Sequence, residues 1–154
     1  MKINYNKILN KNMINVFKDV LTHIKKNGLQ ENHHLYITFD TNNSKINMPK
    51  WLKEKHIDQM TIVLQYEYWN FKVYKNSFNI GLSFNDIKTD LEIPFSSIIS
   101  FADPYANFGL KLNNKTDNQD NNVSKKQINK RLKKGNKKDN VIDFKKFKKD
   151  IHNQ

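Results

Sequence analysis

Apolar periodicity in this 154-residue chain stops at Leu112. Before that point, short alternating runs follow one another closely, the pattern of half-buried strands. After it, 113–140 is rich in Asn, Asp and Lys, with too little apolar surface to offset the cost of ordering a backbone. A short apolar cluster then returns at Val141-Ile142-Asp143-Phe144-Lys145-Lys146-Phe147. The chain divides accordingly into a folded domain over 1–112, a flexible basic linker over 113–140 and a terminal motif over 141–154. A short basic helix over Ser124–Lys134 is compatible with the linker's composition. A folded module, a tether and an apolar hook suit a protein that brings two partners together.

Charge follows the same division. Up to Leu112 there are 14 Lys/Arg against 10 Asp/Glu, and from Asn113 onward 13 against 5. The tail therefore carries most of the net charge of +12. A basic tail can meet nucleic acid, an anionic membrane or an acidic protein surface, and basicity does not choose among them. There is no cysteine, which excludes disulfides and thiolate metal sites and is compatible with a reducing compartment. No apolar run approaches the ~20 residues that span a bilayer. Met1-Lys2-Ile3-Asn4-Tyr5-Asn6-Lys7 is not followed by an apolar core of signal-peptide length, so a cytoplasmic location is expected.

Within the folded part, Leu9, Met13, Val16, Phe17, Val20, Leu21 and Ile24 recur at steps of three and four, which predicts a helix stopped by Gly28. This broad stripe can cover one side of a sheet, pair with its copy in a dimer, or both. Leu35–Phe39 alternates as a strand. Pro49–Lys55 fits a short helix opened by proline. Met60–Tyr66, Trp69–Tyr74, Phe78–Phe84 and Leu91–Phe95 read as strands, with Ile98–Phe101 and Phe108–Leu112 as shorter ones. Asn76-Ser77 and Asn85-Asp86 mark hairpin turns. Short connections favour antiparallel neighbours. The expected fold is α+β and mainly β: an N-terminal helix followed by a meander curling into a small open antiparallel barrel or sandwich.

Along Phe78–Phe84, the residues Phe78, Ile80, Leu82 and Phe84 share an apolar face, and Asn79, Gly81 and Ser83 share a small polar one. Met60, Ile62, Leu64 and Tyr66 form a core face opposite Thr61, Val63 and Gln65. A small polar face, with Gly81 admitting a close backbone, suits either a shallow groove for an extended peptide or an ordinary solvated sheet surface.

Catalytic and metal signatures are missing from the sequence. His23, His33, His34, His56 and His152 form no spaced ligand set, and there is no G-x-S-x-G, Walker-type or dinucleotide loop. His33 and His34, at a strand entrance, read as solvated. Asp103-Pro104 reads as a turn. No enzyme, metal or cofactor is expected. A nucleic-acid-binding module, built on the basic tail and on Tyr66, Tyr68 and Tyr74 as stacking surfaces, is the rival from a different class.

Six stretches occur in an order that resembles a known family: Leu35-Tyr36-Ile37-Thr38-Phe39-Asp40-Thr41, Met60-Thr61-Ile62-Val63-Leu64-Gln65, Tyr68-Trp69-Asn70-Phe71, Leu82-Ser83-Phe84-Asn85, Ile93-Pro94-Phe95 and Phe101-Ala102-Asp103-Pro104. They look like stringent starvation protein B (SspB) in its alphaproteobacterial form, over roughly 10–112, and the likeness returns at Val141–Lys149. The resemblance implies an open barrel similar to the Sm fold, and an adaptor that binds the ssrA peptide tag and delivers tagged polypeptides to the ClpXP protease. It implies a homodimer through the first helix, with Met13, Val16, Phe17 and Val20 at the seam. Tag contacts carried over by motif are Gln65 first, then Thr61, Val63, Ser83 and Phe84. Val141, Ile142, Phe144 and Phe147, with Lys145, Lys146 and Lys148 around them, match the family's ClpX-docking motif. The tether would span roughly 25–30 Å as a flexible chain. Its extra lysines also allow contact with nucleic acid or the ribosome.

Overall fold

The structure, a computed structural model, describes residues 1–30 and 32–112. The linker and terminal motif expected over 113–140 and 141–154, with Val141, Ile142, Phe144, Lys145, Lys146 and Phe147, lie outside the described residues.

The chain opens with α1 (Tyr5–Asn27), which begins four residues earlier than the apolar stripe implied. The Asn4 side-chain oxygen accepts from the Lys7 backbone N–H, satisfying one of the orphan donors of the first turn. Gly28 closes the helix with φ of 73°, where a side chain would be strained, and its N–H donates to the Ile24 carbonyl. Lys25 and Lys26 occupy the last turn, where positive charge complements the helix dipole.

Seven strands and a second short helix follow: β1 (Leu35–Asp40), α2 (Lys50–Lys55), β2 (Gln59–Leu64), β3 (Trp69–Val73), β4 (Ser77–Phe84), β5 (Ile87–Pro94), β6 (Ile98–Asp103) and β7 (Phe108–Lys111). They form two antiparallel sheets, one ordered β2-β1-β6-β7 and the other β3-β4-β5, without closing into a barrel. The second sheet is the expected meander. The first is not, because β1 pairs with both β2 and β6. Local alternation identifies each strand but carries no information about a partner so far along the chain.

The β4–β5 turn is a two-residue loop, with Asn85 and Asp86 at φ of 50° and 64°. Positive φ at both central positions gives a turn whose twist matches that of the strands, and it sets the register Phe84↔Ile87 through Ser77↔Pro94.

Phe17 ties the layers together. Its ring lies 5.8 Å from Phe78 of the second sheet, 4.9 Å from Phe101 of the first, and 6.0 Å from Phe95 between them. Met13, Leu21 and Ile24 join it in the core with Ile37, Phe39, Ile62, Leu64, Ile80 and Ile93. Lys18 fixes the same helix from outside, donating to the Lys75 carbonyl while its ammonium stands over the Phe95 ring. No helix among the described residues is long and apolar enough to cross a membrane.

Candidate functional site

A cavity of about 870 Å³ runs between α2, β2 and the far end of β4. Met60, Thr61, Ile62 and Val63, four consecutive residues of β2, all line it. Successive side chains of a strand point to opposite faces, so a space that touches all four follows the edge of the strand rather than one face. Among the described residues β2 is an edge strand, paired with β1 alone within its sheet. Such an edge is a template for an added extended chain.

Local sequence explains how the walls arise. Pro49 opens α2, and His56 caps its end, its N–H donating to the Leu52 and Lys53 carbonyls. The Thr41 hydroxyl donates to the His56 carbonyl at 2.6 Å, anchoring this corner to the end of β1. Buried Leu52, Met60, Ile62 and Leu82 give an apolar floor. Ser83, Phe84 and Asn85 form the opposite wall, carried there by the tight β4–β5 turn. Burial, and after it the neighbouring Lys55 charge, holds the His56 pKa below the usual histidine value.

Thr61, Val63, Gln65, Ser83 and Phe84 all line this one cavity. Thr61 is also fixed from the side by Thr38, hydroxyl to hydroxyl at 2.7 Å. Gln65 stands one residue beyond the end of β2 and is exposed, as is Tyr66, which therefore does not join the core face of its strand. The small polar face of β4 is otherwise placed than expected. Asn79 borders a separate hollow of about 310 Å³ over the second sheet. Gly81 admits no visiting backbone, because the Trp69 indole occupies the space where its side chain would be. Among the groove residues that escaped sequence reasoning are Lys55, His56, Tyr66 as a wall residue, and Glu67. His56, Tyr66 and Glu67 lie just outside regular elements and Lys55 is the last residue of α2, positions where periodicity gives no signal.

On α1, Met13 and Phe17 are turned into the chain's own core, 6% and 0% exposed. A seam between copies would have to use Val16, 41% exposed, with Leu9, Ile8 and the edge of partly buried Val20. His33 is not simply solvated. Its Nδ1 lies 2.6 Å from Asp103 Oδ2, and its ring packs edge-on to Tyr105. The other Asp103 oxygen accepts from the Tyr105 and Ala106 N–H groups, which builds the turn expected at Asp103-Pro104. Tyr68, expected as a surface for stacking, packs against the core beside Phe71.

A helix-braced pair of open antiparallel sheets, with a mixed polar and apolar groove along a free strand edge, has the makeup of a binding module. A family model described as Stringent starvation protein B matches residues 8–151, and the chain belongs to that family. It is a family of adaptors associated with ClpXP proteolysis. No curated protein matches the chain.

Proposed function

We propose that this chain holds ssrA-type peptide tags in the groove along β2 and delivers the tagged polypeptide to ClpXP. The carrying observation is that Thr61 and Val63 of β2, Gln65 just after it, and Ser83 and Phe84 of β4 in the other sheet line a single cavity along a strand edge left unpaired among the described residues. The tag adds to β2 as an extended strand, with main-chain hydrogen bonds supplying affinity and the flanking side chains specificity. The Gln65 amide both donates and accepts, and so suits the polar groups of a peptide.

Delivery needs no chemistry. The groove holds the tag while Val141, Ile142, Phe144 and Phe147 engage ClpX, with Lys145 and Lys146 meeting an acidic rim. Tethering makes the second encounter intramolecular, at effective concentrations on the order of millimolar for short flexible linkers. Two copies joined through α1 would present two tails. The protein works in the cytoplasm, where incomplete chains are tagged.

The test is degradation of an ssrA-tagged fluorescent reporter by purified ClpXP at limiting substrate. Full-length chain should accelerate it, and a variant lacking 141–154 should bind tag but fail to accelerate it. Equal acceleration by both would refute tethering.

A further inference from the structure

The groove is electrically asymmetric along its length. Lys55 and His56, at the end of α2, line it where β2 begins, and Glu67 lines it just past where β2 finishes. β2 itself is six residues long, so the two charged ends are on the order of 20 Å apart. The wall opposite, from β4 and its turn, contributes Leu82, Ser83, Phe84 and Asn85 and no charge. A peptide laid along β2 would therefore pass from a cationic end to an anionic end, with neutral surface between.

Lys55 and Glu67 are both exposed. The chain of a bound peptide can therefore continue past either end, and a charge recognised there belongs to a side chain rather than to a chain terminus. Opposite charges at the two ends of an interface fix register and exclude wrong partners more than they add affinity.

We propose that the groove reads the charge and direction of the strand it holds, with Lys55 and His56 forming the subsite for an acidic side chain and Glu67 rejecting one at the opposite end. This rests on the groove being the tag site. It adds specificity-determining residues to that site and a direction to its ligand. A peptide carrying its carboxylate on the β2-start side is held, and the same composition in reverse order is disfavoured.

The probe is a short fluorescein-labelled ssrA-type peptide in which a single aspartate is moved position by position, with asparagine at that position as the control. Anisotropy titrations use the full chain. Affinity should peak with the aspartate at one end and fall toward the other, by roughly two- to fivefold, as for exposed charge pairs. Lys55→Gln should flatten the peak, bringing the affinities of the aspartate peptides down to those of their asparagine controls. Glu67→Gln should relieve the penalty at the far end, and amidating the peptide C-terminus should change nothing. A peak that survives Lys55→Gln, or equal affinities throughout, would overturn the charge assignment while leaving the groove as a peptide site. Loss of the peak on amidation alone would transfer the recognition to a chain terminus and overturn the side-chain subsite. Failure of every peptide to bind would overturn the tag site and the charge reading together.

Discussion

The indole of Trp69 lies over the α-carbon of Gly81, in the space a side chain at Gly81 would need. The two residues face one another across β3 and β4, and Lys88 of β5 stands over the same indole at 5.7 Å. One aromatic ring thus spans all three strands of the second sheet, and glycine is required because only hydrogen leaves room for it.

Gly81→Ala should therefore destabilise the domain by ~1–3 kcal/mol, the usual cost of forcing extra volume into a packed site. Urea unfolding followed by tryptophan fluorescence measures it. An unchanged midpoint would mean that the ring moves aside freely.

Phe17 and Val16 are neighbours in sequence with opposite exposure. Phe17 is fully buried among Phe78, Phe95 and Phe101. Phe17→Ala should cost about 3–5 kcal/mol, in the range for a large ring removed from a core. Val16→Glu, at an exposed position, should leave the circular dichroism spectrum intact and shift sedimentation from dimer to monomer. A monomeric wild-type chain, or a dimer indifferent to Val16→Glu, would contradict assembly through α1.

His56 makes stability depend on pH. Its folded pKa is held below 6.5 by burial and by Lys55. The unfolded chain therefore binds this proton more readily than the folded one, and stability is complete above the unfolded value. It declines as pH falls below 6.5 toward the lowered folded value. His56→Gln should flatten that part of the profile in urea midpoints taken from about pH 7.5 to 5.5. The titratable side chains around the groove besides His56 are Lys55, Tyr66 and Glu67. A bound acidic side chain would favour the imidazolium. Peptide affinity should thus rise over the same interval in the wild type and not in His56→Gln.

Much of this fold was legible in advance because its elements are locally consistent. The steps from Met13 through Ile24 announce α1, Gly28 its end, and Asn85-Asp86 the tight turn of β4 and β5. Pairings between distant residues were not legible. Nothing near His33 indicates Asp103, 70 residues away, and nothing near Gly81 indicates that Trp69 has taken its space. Helical periodicity marked Met13 and Phe17 as apolar without saying whether they face their own sheets or a second copy. For the groove, family likeness carried Thr61, Val63, Gln65, Ser83 and Phe84, whereas Lys55, His56 and Glu67 emerge only when the end of α2 and the residues after β2 are found to line the same space.

Whether the groove along β2 holds the tag is tested most directly by fluorescence anisotropy of a labelled ssrA-type peptide against the full chain, at low and high salt, with Gln65→Ala and Val63→Arg alongside. Saturable binding that survives salt, weakened by Gln65→Ala and abolished by Val63→Arg with the domain still folded, is the expected result. Binding that vanishes with salt, as counterion release from phosphate-type contacts produces, or that ignores both substitutions, would contradict it and favour a role centred on the basic tail.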